Sequence, residues 1–313
     1  MRNMNLHIET PVFESLPMGE STDKSVFLKM ECFQPTGSFK IRGIGSLCKE
    51  YVASGKSHLI SSSGGNAGFA VAYAGRKLGA EVTVVVPETT SREICHQIKR
   101  EGAKVEIHGS VWDESHSYAL ELSRKLNGAY ISPFDHPTIW RGHSTIVDEL
   151  VGQCERPDVL ILSVGGGGLL CGIAEGLHRN NWHNVPIVAV ETKGASSLAA
   201  SIAAGKLVTL ERIDTIATTL GAKRVATRAF EYTKTHAIVS FTVTDKDAID
   251  ACLRFSRDHR ILVEPACGAA LSVVYQNADI VKAARSILIV VCGGIGVSIE
   301  RLLDWQKETL TSR

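Results

Sequence analysis

Short apolar runs rich in β-branched residues alternate with longer stretches of helical periodicity along most of the chain. This alternation is typical of a parallel sheet with helices packed on its faces. Within the segment NAGFAVAYAGRKLGA, five apolar residues from Ala67 to Leu78 share one helical face, and Gly79 stands where the helix would end. The predicted strands are VFLKME, HLISSS, EVTVVVP, KVEIHG, VLILSVGG, PIVAVE, IVSFTVTD and SILIVVCGG.

The rhythm breaks at YISPFDHPTIW, Tyr130 to Trp140, which contains two prolines. Beyond it the runs are longer and almost wholly apolar, as strands buried on both faces should be. We therefore predict an α/β fold of two domains, each an open, twisted, parallel or mixed sheet flanked by helices. The small α/β domain is predicted at residues 35–135, and the large domain at 1–34 and 136–313.

Composition narrows the classes of partner. Lys and Arg total 34 against 33 Asp and Glu, a formal charge of +1, so we expect neither a nucleic-acid nor a membrane partner. The eight cysteines form no CxxC pair, which favours reduced thiols, and the N-terminus has no apolar core of secretory length. We predict a cytoplasmic protein.

Three glycine-rich segments each follow an apolar strand, where ligands bind in open α/β sheets: LISSSGGNAG, LSVGGGGLLCG and IVVCGGIGVS. In the second, four successive glycines let the backbone wrap an oxyanion at a helix N-terminus, which predicts a phosphate site. A Walker loop would need Gly-Lys-Ser/Thr next, whereas Leu169 and Leu170 follow. The G-x-G-x-x-G fingerprint also fails, although Glu191 lies at about the distance of a ribose-binding acid and keeps a nicotinamide cofactor open.

The other two glycine-rich segments and one lysine complete the candidate chemistry. The SSSGGNAG loop, with Asn66 as the predicted N-cap, is either a carboxylate site or a well-capped helix start. Cys292, at the end of its strand, is either a small buried hydrophobe or a functional thiol. Lys40 in QPTGSFKIRG could by itself be a solvated helix residue. Together, a phosphate site, a carboxylate loop and a lysine are what a pyridoxal-phosphate enzyme needs.

These motifs also carry a family resemblance. TPVFES, GSFKIRG, SSSGGNAG, DHPTIWRGHSTIVDEL, LSVGGGGLLCG, ILVEPACGAAL and VVCGGIGVS appear in this order over nearly the whole chain. The chain resembles the fold-type-II pyridoxal-phosphate enzymes, whose fold is that of the tryptophan synthase β subunit. Within them it is most similar to the L-serine/L-threonine dehydratases, also called serine ammonia-lyases.

The resemblance implies roles for individual residues, with pyridoxal 5'-phosphate as the cofactor and the large domain as its binding domain. Lys40 would hold the cofactor as a Schiff base, Phe39 would lie against its ring, and Cys292 would face the ring nitrogen. Asn66 would reach the 3'-oxygen, beside a substrate-binding loop made by Ser63, Gly64, Gly65 and Asn66. The cofactor phosphate would be held by Gly165, Gly166, Gly167, Gly168 and Leu169. A monovalent cation such as K+ would be held by Gly165, Glu191, Ala195, Leu220 and Ala222.

The implied activity is β-elimination of L-serine to pyruvate and ammonia, and of L-threonine to 2-oxobutanoate. Lys40 would take the Cα proton, and a neutral thiol at Cys292 would favour elimination over transamination. The chain ends soon after its last strand, so by resemblance we expect a catabolic enzyme without isoleucine feedback. We also expect a homodimer, the commonest oligomer.

Other functions stay open on the sequence. A serine racemase, or another fold-type-II lyase, would reuse Lys40 and the phosphate site, with Ser63 as the second acid/base. A nicotinamide-dependent, NAD(P)-binding oxidoreductase and a silent pyridoxal-phosphate binder are alternatives from other classes.

A few residues depart from the dehydratase pattern or have other expected roles. Gly64 replaces a frequent alanine, and Thr219 replaces a small apolar residue expected on the second face of the cofactor ring, which leaves the preference between serine and threonine open. Four histidines lack metal-site spacing and are predicted to be surface or capping residues: His136, His143, His178 and His183.

Overall fold

The computed structural model describes residues 5–311. Over these residues the chain forms ten strands and twelve α-helices. The strands are β1 (Val12–Glu14), β2 (Ser25–Lys29), β3 (His58–Ser61), β4 (Glu81–Val86), β5 (Lys104–Ile107), β6 (Ala129–Tyr130), β7 (Val159–Ser163), β8 (Ile187–Thr192), β9 (Ile238–Val243) and β10 (Ser286–Val290). The helices are α1 (Leu16–Thr22), α2 (Lys40–Ala53), α3 (Asn66–Leu78), α4 (Arg92–Arg100), α5 (Trp112–Lys125), α6 (Pro137–Gln153), α7 (Gly168–Arg179), α8 (Ser197–Ala204), α9 (Thr227–Thr235), α10 (Asp245–His259), α11 (Pro265–Tyr275) and α12 (Ile299–Thr311).

The chain divides into two compact units. The smaller unit comprises residues 5–8 and Gln34–His143, and the larger comprises Glu9–Phe33 and 144–311. The edges of the smaller unit therefore differ from those of the small domain predicted at 35–135. One reason is local: the backbone N–H of Ile8 donates to the side chain of Gln34, and the Gln34 amide donates back to Ile8 O. Residues 1–4, 312 and 313 of the predicted large domain lie outside the described residues.

The smaller unit contains a four-stranded parallel sheet in the order β5-β4-β3-β6. The chain runs from β3 outward to β4 and β5, then returns to place β6 on the opposite side of β3. The order therefore reverses between β3 and β6, and such a switch point is where open α/β sheets bind ligands. Helix α3 packs as predicted, with Ala67, Ala70, Val71 and Ala74 buried, and Gly79 ends it in the left-handed region (φ +70°).

The larger unit contains a six-stranded mixed sheet in the order β1-β2-β10-β7-β8-β9. Its neighbours are parallel except for β1, which pairs antiparallel with β2. Strands β7 and β8 are buried throughout, as predicted for the later strands, whereas β9 lies at the sheet edge and is mostly half-buried. The order reverses between β7 and β10, so the segments after these two strands meet at the second switch point.

Over the described residues no helix is both long and apolar enough to cross a membrane. The eight cysteines are all free thiols.

Candidate active site

Lys40 is the first residue of α2, in the smaller unit. Its side chain is half-buried, and Nζ donates a 2.8 Å hydrogen bond to the carbonyl oxygen of Pro133, just after β6. Nζ also lies 5.3 Å from the centroid of the Phe39 ring. The lysine amine is therefore held near the carboxyl end of the smaller sheet, beside the predicted ring-stacking phenylalanine.

The loop between β3 and α3 contains the predicted substrate-binding residues. Gly65 N–H donates to Ser63 Oγ at 3.3 Å. A Cβ on Gly68 would lie 1.8 Å from Ser63 O, so the first turn of α3 packs directly against the loop and requires glycine.

Asn66 does not cap α3, so that prediction is wrong. Gly65 is the N-cap, with extended backbone and no side chain to accept a hydrogen bond, and Asn66 is the first helical residue. The amides of the first helical turn have no partner inside the helix. The helix N-terminus beside Ser63 is thus suited to an anion, as the carboxylate interpretation of this loop requires.

Thr90 fills the space beside Gly64. A Cβ on Gly64 would lie 2.6 Å from Thr90 Oγ1 and 2.8 Å from Thr90 Cγ2. The volume of an alanine methyl at position 64 is therefore already taken by the threonine side chain.

His143 is fully buried, so the prediction of a surface or capping role is wrong for this residue. Its ring centroid lies 4.8 Å from that of Phe39, and neither ring nitrogen has a hydrogen-bond partner among the described residues. Burial, and then the positive charges of Lys40 and Arg42, hold the pKa of His143 well below its usual value. The imidazole is therefore neutral, with one N–H donor and one acceptor nitrogen. His136 does cap: its Nδ1 accepts from Thr138 N–H.

Three side chains form a hydrogen-bonded series that ends at Ser62, the residue before Ser63. Ser62 Oγ and His116 Nδ1 each lie 2.8 Å from the hydroxyl oxygen of Tyr130, and burial raises the pKa of Tyr130 to about 12. These hydrogen bonds hold β3 and β6 together at the switch point. They also fix the backbone at the start of the loop between β3 and α3.

In the larger unit, the four glycines after β7 form a cup at the N-terminus of α7. Gly167 is the N-cap at φ +87°, and the first N–H to bond within the helix is that of Cys171, to Gly167 O at 2.9 Å. A Cβ on Gly167 would lie 2.6 Å from Ala229 Cβ, and one on Gly165 would lie 3.0 Å from Leu220 Cα. The cup is therefore tightly walled, and its amides point where a helix attracts an anion.

Cys292 lies two residues after β10, at the same switch point as the glycine cup. It is 6% exposed. A hydrogen bond with Cys267, then burial, then the charges of Cys267 and Glu264 hold its pKa well above the usual thiol value. The thiol is therefore neutral. Thr219, the other departing residue, is exposed and donates to Glu264 Oε1 at 2.6 Å.

The predicted cation ligands fall into two groups. Gly165 packs on Leu220, and Ala222 N–H donates to Leu220 O at 2.7 Å. Glu191 is fully buried near the end of β8, and its carboxylate accepts from the backbone N–H groups of Leu198 and Ala199, both at 2.8 Å. Burial raises the pKa of Glu191 to about 7, against the effect of these two bonds. Among the described residues there is no cluster of three His, Cys, Asp or Glu side chains that could hold a metal ion.

Known proteins resemble this chain over almost its whole length. The family model "Pyridoxal-phosphate dependent enzyme" matches residues 4–293. The chain belongs to this family. An L-serine dehydratase of Dictyostelium discoideum is 46% identical, over 96% of this chain and 91% of the relative. An L-serine dehydratase/L-threonine deaminase of Bos taurus is 44% identical, over 98% of this chain and 97% of the relative. The crystal structure of a fungal L-serine ammonia-lyase from Rhizomucor miehei superposes with a TM-score of 0.93 at 38% identity, covering 97% of this chain and 99% of that one.

The fold predicted from the sequence is thereby confirmed: two sheets flanked by helices, as in a fold-type-II pyridoxal-phosphate enzyme. The observed residues also fit the cofactor of the family. A cup of helix N-terminal amides that a single Cβ would obstruct suits the phosphate, and a thiol held neutral at the same sheet edge suits a ring nitrogen. A half-buried lysine beside a phenylalanine ring suits the aldehyde.

Sequence reasoning missed several residues of this family member's candidate site. Thr90 is 26 positions from Gly64, and Glu264 is 45 positions from Thr219, so neither contact leaves a local signal. Glu264 could have been noticed as a lone acid at the start of the apolar segment PACGAALSVV. His143 gave no such signal, because its burial depends on contacts with α2.

Proposed function

We propose that the protein is an L-serine dehydratase that also acts on L-threonine, forming ammonia with pyruvate or 2-oxobutanoate. The observation that carries this proposal is that the glycine cup and the neutral Cys292 thiol lie at the same switch point of the larger sheet. A neutral thiol does not keep a pyridine nitrogen protonated as a carboxylate would, and this favours immediate loss of the β-hydroxyl. The names of the near-full-length relatives support the same reaction.

Pyridoxal 5'-phosphate, when bound, supplies the electron sink for the bond broken at the substrate Cα. Lys40 would hold the cofactor through its side-chain amine, and the same amine would accept the proton from the substrate Cα. The 2.8 Å hydrogen bond from Lys40 Nζ to Pro133 O supports this role, because it holds the amine in one direction. The Ser63 hydroxyl and the amides of Gly64, Gly65 and Asn66 bind the substrate carboxylate, and the Asn66 side chain reaches the cofactor 3'-oxygen.

In the larger unit, the backbone amides of Gly165–Leu169 bind the phosphate, and Cys292 faces the ring nitrogen. We further propose that K+ is bound by Glu191 together with the carbonyl oxygens of Gly165, Ala195, Leu220 and Ala222. The buried carboxylate and the packing of Gly165 on Leu220 support this site.

We propose a cytoplasmic homodimer with a small amino-acid substrate and neither nucleic-acid nor membrane partners. Eight free thiols support a reducing compartment, and the balance of charged residues supports the absence of polyanionic partners. The dimer has only the general frequency of such assemblies in its favour.

The direct test incubates the cofactor-loaded protein with L-serine and, separately, L-threonine, and measures keto-acid formation. We expect pyruvate and 2-oxobutanoate, and loss of both by at least about a thousandfold in Lys40→Ala, because the variant lacks the base. A matched control is Lys206→Ala, which removes an exposed lysine just after α8. Wild-type protein that binds the cofactor but releases no keto acid would overturn the proposal.

The alternatives have different outcomes in the same experiment. A racemase with Ser63 as its second acid/base would leave D-serine after partial turnover, which chiral chromatography detects. A colourless protein that binds NADH would be an oxidoreductase, and a yellow protein without turnover would be a silent binder.

A further inference from the structure

Glu264 is a buried carboxylate at the junction of three segments of the larger unit. It is 4% exposed and stands immediately before α11, as its N-cap residue. Thr219 Oγ1 donates to its Oε1 at 2.6 Å, and Gly296 N–H donates to its Oε2 at 3.4 Å. One side chain thus joins the start of α11, the 3₁₀ turn Thr218–Leu220 and the turn that follows Cys292.

The turn after Cys292 is built around this carboxylate. Gly294 has φ +130°, a conformation that side chains rarely adopt. A Cβ at Gly294 would lie 2.0 Å from Glu264 Cδ and 2.2 Å from Oε2. The second glycine of the VCGG motif is therefore needed because the backbone of the turn packs directly on Glu264.

The charge of Glu264 also acts on the thiol. The hydrogen bond with Cys267 and burial are the leading causes of the raised pKa of Cys292, and the negative charge of Glu264 adds to them. A carboxylate near a thiol disfavours the thiolate.

We propose that Glu264 is a positioning residue of the active site, which holds Thr219 and the Cys292 turn in one arrangement through its two carboxylate oxygens. The inference rests on the proposed function, because it is that function which places Cys292 at the nitrogen of the cofactor ring and Thr219 on the second face of the ring. Glu264 is not expected to contact the substrate. Its loss should therefore change the ring environment and kcat more than substrate affinity.

The test compares the holoenzyme with Glu264→Gln, which keeps the side-chain shape but removes the charge and leaves one acceptor oxygen for the two donors, Thr219 and Gly296. A second variant, Thr219→Val, removes the same hydrogen bond from its other end and keeps the side-chain volume. Thr219→Ser restores the hydroxyl. The matched control is Thr22→Val, because Thr22 Oγ1 is also buried in the larger unit but bonds only within its own helix, to Met18 and Gly19.

Four quantities are measured: the visible absorbance band of the bound cofactor, kcat, KM, and the rate at which iodoacetamide alkylates Cys292, followed by peptide mass spectrometry. We expect Glu264→Gln and Thr219→Val to bind the cofactor with a shifted band and to lower kcat about tenfold, with KM changed less than about threefold. Thr219→Ser should keep more of kcat than Thr219→Val, and Thr22→Val should match wild type. The double variant should lose less than the product of the two single losses, because both substitutions weaken the same contact between Thr219 and Glu264.

Alkylation separates failure of this inference from failure of the proposed function. Loss of the nearby negative charge should speed alkylation of Cys292 in Glu264→Gln several-fold at pH 8, with or without turnover. If the wild type makes no keto acid but Glu264→Gln is alkylated faster, the dehydratase proposal is wrong. The effect of Glu264 on the reactivity of Cys292 is then still supported. An active wild type with unchanged band, kcat and alkylation rate in Glu264→Gln and Thr219→Val would overturn the role of Glu264.

Discussion

Gly64 and Thr90 share one small volume in the substrate loop, so the two positions should be coupled. Gly64→Ala places a methyl within 2.8 Å of two Thr90 atoms, and such overpacking costs about 1–3 kcal/mol. We expect Gly64→Ala to lower the free energy of unfolding by about that amount and to change the ratio of kcat/KM for serine and threonine. Adding Thr90→Ala, which removes both contacted atoms, should recover most of the stability. Urea unfolding of the two single variants and the double variant measures the coupling, and strictly additive effects would contradict a shared volume.

His143 should make the unfolding free energy depend on pH. Its folded pKa lies below the value near 6.5 of an unfolded histidine, so below pH 6.5 the unfolded chain binds a proton that the folded chain does not. Stability is therefore lost as the pH falls below 6.5, by up to about 1.4 kcal/mol per pH unit for one such proton. Urea unfolding between pH 5 and 6.5 gives the slope of the unfolding free energy against pH. This slope should be smaller for His143→Leu than for wild type. His183→Leu, at an exposed position, should keep the wild-type slope, and equal slopes for all three proteins would refute the assignment.

The N-terminus of α7 should tolerate no side chain at Gly167. A methyl there meets Ala229 Cβ at 2.6 Å and Val225 Cγ2 at 2.8 Å, in a backbone at φ +87°. We expect Gly167→Ala to lower the unfolding free energy by about 2 kcal/mol and to weaken cofactor affinity at least tenfold, because the cup amides must move. Gly152→Ala is the control, because Gly152 lies in α6 and no atom of the residues that the structure describes comes within 4 Å of its Cβ position; this variant should leave cofactor affinity unchanged. Fluorescence titration with pyridoxal phosphate measures both, and an unchanged affinity of Gly167→Ala would contradict the cup.

The Glu191 carboxylate accepts hydrogen bonds from two backbone amides of α8. We expect protons and K+ to compete for this carboxylate. With its folded pKa raised to about 7 and its unfolded value near 4.5, Glu191 without a cation favours the folded state below pH 4.5 and loses this contribution as the pH rises through 7. A bound cation needs the carboxylate form. The rise in melting temperature produced by K+ should therefore be larger at pH 8 than at pH 6, and absent in Glu191→Gln. A K+ effect independent of pH, or retained in the variant, would argue against this site.

At the scale of the whole molecule, the elements with a strong apolar pattern could be predicted and the contacts between distant segments could not. All eight predicted runs contain strands, and α3 buries four of the five residues of its predicted face, with Leu78 half-buried. Strands β1 and β6 were missed because they have only three and two residues, too few for a periodic pattern. The cap of α3 was misassigned because it depends on the extended backbone of Gly65, which composition does not reveal.

The same limit applies to the candidate site. The motifs located Lys40, the glycine cup and Cys292, since each stands at the end of a recognisable strand or the start of a helix. The neighbours that set their chemistry, Glu264 and His143, approach only after the chain has folded. A single sequence shows such tertiary contacts poorly.

Reduction with borohydride tests whether the side chain at position 40 carries the cofactor. Wild-type protein loaded with pyridoxal phosphate is reduced, digested and analysed by peptide mass spectrometry. We expect the visible absorbance band to disappear and the peptide containing Lys40 to carry the phosphopyridoxyl group, with no such adduct in Lys40→Ala. An unmodified Lys40 peptide in fully loaded and reduced protein, or the adduct on another lysine, would contradict it.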